Sequence, residues 1–209
     1  MFRFTKYSLA TLENCYGVDI DYYLRVNFTS VVDIVDLLGG VNVYSEHAFR
    51  GRHGNFWFEE GYNEMNGEQA LSFARERFTI EGGDYSRGRN HMELIKAILN
   101  KAMSPSILQS YTSLLDLVAK NVETNMTTDE ITEIVKMQLN DGGSWNFVSY
   151  ATEGTNNGAQ ELRYCWSDRS NRLYVTILDA ESVQMAADLM EMVLNGEVLE
   201  QSYIDSLRE

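Results

Sequence analysis

Along its whole length the chain alternates between stretches with a helical period and short runs rich in β-branched and aromatic residues. Most of the switches are marked by a capping residue or a glycine. Only Pro105 among 209 residues is a proline, so no proline-rich linker divides the sequence. This pattern restricts the fold to an α/β class in which a sheet is covered by helices on both faces. Helices are predicted over Lys6–Tyr16, stopped by Gly17, and over Thr29–Leu38, ended by Gly39 and Gly40. The polar positions Thr29, Asp33 and Asp36 form one narrow stripe, so this second helix is expected to be mostly buried. Further helices are expected over Gly67–Arg75 capped by Asn66, over Arg87–Met103, over Ile107–Lys120, from a Thr127/Glu130 capping box to about Leu139, and from Asp179 to about Leu194. Strands are expected at Ile20–Phe28, Val41–Tyr44, Asn55–Glu60, Trp145–Ala151 and Arg172–Ile177, with Leu162–Trp166 a weaker candidate. Gly61 and Tyr62 read as loop. At this length one domain spanning residues 1–209 is the expectation, with 9–103 as its motif-bearing core and 104–209 as a helical and C-terminal strand region.

The charge balance narrows the partners. Seventeen bases against 31 acids give a net charge of −14, which argues against nucleic acid. The excess is uneven. Residues 1–103 hold 11 bases and 14 acids, and the remainder holds 6 and 17. Cys15 and Cys165 are too few for a disulfide framework. No stretch reaches the roughly 18 apolar residues of a membrane span, and no signal-peptide pattern opens the chain.

Four of the twelve arginines, Arg75, Arg77, Arg87 and Arg89, lie within positions 75–89. Guanidinium forks match phosphate oxygens two at a time, so arginines clustered on a glycine-containing loop suggest a phosphate site. Arg75 and Arg77 share one side only of an extended segment, which requires the helix to end near Arg75. Arg87 and His91 share a helix face, and Asp84 and Ser86 stand where N-caps belong, so free helix N–H groups would face the same anion. The competing reading is a solvated ion-pair surface, because Glu76, Glu81 and Asp84 are interleaved with the arginines. His47 and His53 lack metal-ligand spacing, and there is no nucleophile elbow, P-loop or dinucleotide fingerprint.

Longer motifs add a family. Tyr22-Tyr23-Leu24-Arg25-Val26-Asn27-Phe28, Val35-Asp36-Leu37-Leu38-Gly39-Gly40-Val41, Met65-Asn66-Gly67-Glu68-Gln69-Ala70-Leu71, Ala74-Arg75-Glu76-Arg77 and Gly83-Asp84-Tyr85-Ser86-Arg87 occur in that order. The series resembles the LytR-CpsA-Psr family of Gram-positive cell-envelope proteins. The resemblance implies a three-layer α-β-α sandwich with a central mixed sheet. It also implies a phosphotransferase that moves a teichoic acid or capsule-type glycopolymer from a polyprenyl-diphosphate carrier onto peptidoglycan. By position, Arg75, Arg77, Arg87 and Asp84 form the implied catalytic set, and Arg75, Arg77, Arg87, Arg89 and His91 the substrate-binding set. His91 replaces the family's glutamine and Asn90 its second helix arginine. The family begins with a membrane anchor and strands bearing magnesium-binding aspartates, and the resemblance here starts after them. Magnesium is therefore an expected cofactor with ligands in a missing N-terminal segment, and no residue of this chain is assigned as a metal ligand. The implied location is the extracellular face of the cell membrane. Two other readings are a non-catalytic binder of polyprenyl phosphate or glycopolymer, and a transcriptional attenuator, which the −14 charge disfavours.

Overall fold

A computed structural model describes residues 2–108, 119–143, 145–155, 162–165, 168–174 and 176–207. The chain divides into two compact units: Met1–Ile20 with Val148–Glu209, and Asp21–Phe147. Each unit has its own apolar cluster, which replaces the single core expected from length.

The Asp21–Phe147 unit carries β1 (Leu24–Arg25), α2 (Phe28–Leu37), β2 (Val41–Ser45), β3 (Phe49–Arg50), β4 (Trp57–Phe58), β5 (Gly61–Met65), α3 (Gly67–Arg75), α4 (Asp84–Ala102), α5 (Pro105–Leu108), β6 (Glu123–Thr124) and α6 (Thr128–Asp141). The expected strand at Ile20–Phe28 contracts to two residues. Leu24 and Arg25 pair with Thr124 and Glu123, and Asn27 caps α2 by accepting the Ser30 N–H at 2.8 Å. Helix α2 is half-buried, not mostly buried. Val35 and Leu38 lie in the core while Phe28 and Leu37 face solvent.

Strands β2 and β5 run antiparallel from Val41↔Met65 to Ser45↔Gly61. The hairpin then continues as Phe49↔Phe58 and Arg50↔Trp57. Three residues on one side of the junction oppose two on the other, so the register slips by one, as at a β-bulge. Gly61 and Tyr62, expected as loop, open the strand Gly61–Met65 because its partner β2 supplies the ladder; its own residues show no apolar alternation. At the hairpin end, Phe49, Phe58 and α3's Phe73 form an aromatic triad with centroids 5.0–5.5 Å apart. Helix α3 has the expected capping box of Asn66 and Gln69. Its first N–H, at Gly67, is also taken by Asp36 of α2 at 2.7 Å, so one residue of the polar stripe anchors the next helix. A Cβ at Gly67 would lie 2.4 Å from the Val32 carbonyl oxygen, so this approach requires glycine.

The second unit holds α1 (Phe2–Tyr16), β7 (Gly154–Thr155), β8 (Leu162–Cys165), β9 (Asp168–Tyr174), β10 (Ile177–Leu178), α7 (Ala180–Leu194) and α8 (Gln201–Ser206). Leu189, Leu199 and Ile204 are its buried cluster. The segment Trp145–Ala151, expected as a strand, forms no strand ladder among the described residues. The Gln201 amide instead accepts the Ser149 N–H and donates to the Ser149 carbonyl, at 2.9 and 3.0 Å, doing for one residue what a ladder would do. The expected Arg172–Ile177 strand is divided between β9 and β10, and most of the expected Ile107–Lys120 helix lies outside the described residues.

The α/β class stands. Among the described residues, however, the strands form five two-stranded antiparallel ladders in place of one central mixed sheet. The ladders are short, with strands of two to seven residues. No described helix is long and apolar enough to cross a membrane.

Candidate anion-binding site

Helix α3 ends at Arg75 because Glu76 turns to extended backbone, with φ −72° and ψ 135°. Glu76 is 3% exposed, and its carboxylate accepts four backbone N–H bonds. These come from Arg52 at 2.6 Å, Phe78 at 2.7 Å, and Arg77 and Thr79 at 3.0 Å. Burial alone would raise the Glu76 pKa, but the four N–H donors outweigh it and hold the carboxyl below its ordinary range. With Glu76 turned inward, Arg75 and Arg77 both point outward, as their spacing requires. Two carbonyls at the C-terminal end of α3 are met from α4. Asn90 Nδ2 donates to the Phe73 carbonyl at 3.4 Å, and His91 Nε2 to the Ala74 carbonyl at 2.6 Å.

After Gly82 and Gly83, both at positive φ, α4 begins one turn earlier than its apolar pattern suggests. Asp84 is therefore its first residue and not its cap. Gly83 takes the cap position without a side-chain bond. Ser86 is buried and donates to the Glu81 carbonyl. The expected free N–H groups are partly used, since Tyr85 N–H bonds Gly82 O and Arg87 N–H bonds Gly83 O. Asp84 Oδ1 instead joins two arginines, standing 3.5 Å from Arg77 and 3.2 Å from Arg87. Arg89 turns elsewhere: it is 2.6 Å from Glu46 and donates to Ser86 at 2.8 Å, so its charge is already compensated.

Among the described side chains, three guanidiniums have no carboxylate within 4.0 Å: Arg50, which bonds Asn55 and lies over Trp57, and the pair Arg75 and Arg52. Arg75 lies over the Phe28 ring at 4.6 Å, and Arg52 over the Phe78 ring at 4.9 Å. Both line a cavity of about 170 Å³ together with His53, Ser72, Glu76 and Phe78. Arg77 also stands over the Phe78 ring, at 4.5 Å, so this exposed phenylalanine touches both the cavity and the Arg77–Asp84–Arg87 junction. The arrangement can hold an anion with several oxygens, which arginine forks bind bidentately.

The donor set here does not suit magnesium. Among the described residues no three His, Cys, Asp or Glu side chains converge, and Asp84, the acid at the junction, faces two guanidiniums.

Sequence alone did not point to Arg52 or Phe78, and Glu76 entered only through the competing reading of a solvated ion-pair surface. Arg52 joins the site only through the hairpin fold, for which the sequence carries no local signal. The run of Glu76 between two arginines at a helix end is the one signal that a buried organising carboxylate was present.

Fold and site together define an α/β protein whose arginines gather at a helix–loop–helix junction. The chain matches the LytR_cpsA_psr family model over residues 5–177 and belongs to that family. It is 35% identical over 133 residues to the polyisoprenyl-teichoic acid–peptidoglycan teichoic acid transferase TagU of Bacillus cereus, covering 64% of this chain and 43% of that protein. The chain thus spans less than half the length of this relative. Among solved structures, TagV of B. subtilis superimposes with a TM-score of 0.69 at 22% identity, over 90% of this chain and 69% of that one. TagU of B. subtilis does so at 0.63 and 26% identity, over 95% and 76%.

Proposed function

We propose that this chain serves a phosphotransferase that attaches a polyprenyl-diphosphate-linked glycopolymer, a teichoic acid or capsule-type polysaccharide, to peptidoglycan at the outer face of the cell membrane. The observation that carries the reading is the junction of Arg77, Asp84 and Arg87 beside the uncompensated Arg75. The name of the Bacillus cereus relative supports the glycopolymer and the acceptor. In phosphoryl transfer the protein mainly positions groups and stabilises spreading charge. Arg75, Arg77 and Arg87 supply that charge to the diphosphate. Asp84 keeps Arg77 and Arg87 together before the substrate arrives, so less ordering remains to be done on binding. Arg89, tied to Glu46, plays a smaller part, and His91 acts through the end of α3. Magnesium, implied by the family resemblance, belongs to the proposal only with ligands other than Asp84. A membrane anchor in the full protein is likewise part of the proposal.

The test uses the full chain. Arg75→Ala, Arg77→Ala and Arg87→Ala are each expected to weaken polyprenyl-diphosphate binding by about tenfold or more, the cost of losing a charge-assisted hydrogen bond. Arg25→Ala, which removes only a surface pair with Glu123, is the control. Equal affinities across the four variants would refute the site. Tight binding with no transfer of labelled glycopolymer to peptidoglycan would refute the enzymatic reading.

A further inference from the structure

Arg52 and Arg75, neither of them paired with a carboxylate, line the same cavity, but only Arg75 belongs to the arginine cluster of positions 75–89. Arg52 reaches the cavity from the tip of the hairpin, and four consecutive residues hold that tip in place. The Arg50 carbonyl accepts the Thr79 hydroxyl at 2.6 Å. Gly51 packs so closely on α3 that an added Cβ would lie 2.3 Å from Ser72 Oγ. The Arg52 N–H donates to Glu76 at 2.6 Å, and the His53 carbonyl accepts the Ser72 hydroxyl at 2.5 Å. The Arg52 side chain therefore projects from a fixed backbone.

We propose that the cavity between Arg52 and Arg75 is a phosphate subsite, with Arg52 as a further substrate-binding residue. Arg52 lies over the Phe78 ring and Arg75 over the Phe28 ring, which helps hold both guanidiniums at the cavity while no carboxylate takes up their N–H donors. Glu76 lines the same space, but its charge is already met by four backbone donors. Ser72 is committed to the His53 carbonyl, and His53 Nε2 is 3.9 Å from Glu68. At about 170 Å³ the cavity is smaller than the roughly 300–1,000 Å³ of pockets that enclose drug-sized molecules, which suits one phosphate group and not a sugar chain. The subsite rests on the phosphotransferase reading for the carrier of that phosphate. The chemistry recognised, a tetrahedral oxyanion, is shared by lipid-linked diphosphate and free phosphate.

The experiment titrates the full chain with inorganic phosphate and, separately, with a short-chain polyprenyl diphosphate. Arg52→Ala is expected to weaken binding by about ten- to a hundredfold, from the 1.5–3 kcal/mol typical of hydrogen bonds to charged groups. Arg52→Lys keeps the charge without the fork and falls in between; it also serves if the alanine variant loses stability. Arg50→Ala, whose guanidinium lies over Trp57 outside the cavity, keeps wild-type affinity. Loss with both probes supports recognition of phosphate itself, and loss with the lipid diphosphate alone supports a lipid-borne source. Arg52→Ala binding both probes as Arg50→Ala does overturns the subsite. If Arg87→Ala still weakens lipid-diphosphate binding in that case, only the subsite falls; if it too has no effect, the phosphotransferase reading falls with it.

Discussion

Replacing Glu76 by glutamine removes one charge and one acceptor while keeping size, and it isolates what the buried carboxylate does. One oxygen accepts the N–H groups of Arg77, Phe78 and Thr79, and the other accepts that of Arg52. If the amide oxygen keeps the three-bond position, the new NH₂ group faces the Arg52 N–H, donor against donor. An unsatisfied buried donor costs about 1–3 kcal/mol, and the three remaining bonds lose their charge assistance, so a total near 2–4 kcal/mol is expected at neutral pH. That is a large part of the roughly 5–15 kcal/mol that holds a domain folded. Because Glu76 titrates below its ordinary value of 4.5 in the folded chain, its stabilisation is complete above that pH and is lost as pH falls through the lower folded value. The gap between wild type and Glu76→Gln should therefore narrow below about pH 4.5. Urea unfolding at a series of pH values measures the gap. Amide exchange at Arg52, Arg77, Phe78 and Thr79 reports the same loss locally. A difference under about 0.5 kcal/mol at pH 7, within the usual range of surface substitutions, would refute the reasoning, as would a gap that ignores pH.

Two other outcomes are expected. Gly51→Ala forces a Cβ within 2.3 Å of Ser72 Oγ and should destabilise by about 1–3 kcal/mol, whereas Gly88→Ala, in α4 with nothing within 4 Å, should be neutral or stabilising; thermal melts giving equal shifts would contradict the close packing at the hairpin tip. The Tyr22 hydroxyl donates to Glu130 at 2.7 Å, which together with that carboxylate's charge raises the phenol above 10.0; Glu130→Gln should bring its midpoint back toward 10.0 in an ultraviolet titration, and an unmoved midpoint would discount the bond.

Features set by neighbours in sequence were legible. The Asn66 and Thr127 capping boxes, the Asp179 cap, and the glycine stops at Gly17 and Gly39 all depend on residues within one turn, and all lie where the pattern places them. So does the end of α3 at Arg75. What depends on a distant partner was not legible. Gly61–Met65 is a strand only because Val41–Ser45 pairs with it, and Trp145–Ala151 has strand composition but meets a glutamine amide instead of a strand. The site divides the same way. Arg75, Arg77, Asp84 and Arg87 lie within 13 consecutive positions and could be read together. Arg52 is 23 positions before Arg75 and needs the hairpin to arrive. The start of α4 was misread because Asp84 and Ser86 resemble caps, whereas the glycine before them can adopt the φ of 55° that opens the helix.

The bonds from Asn90 and His91 to the Phe73 and Ala74 carbonyls have a mechanical consequence. They are adjacent donors meeting adjacent acceptors, so a slide of one helix along the other by even a single residue would break both at once. The arginine that closes α3 and the one in the first turn of α4 are thereby geared together. On the proposed reading, an anion held by Arg75 would pull, through these two bonds, on the helix that bears Arg87.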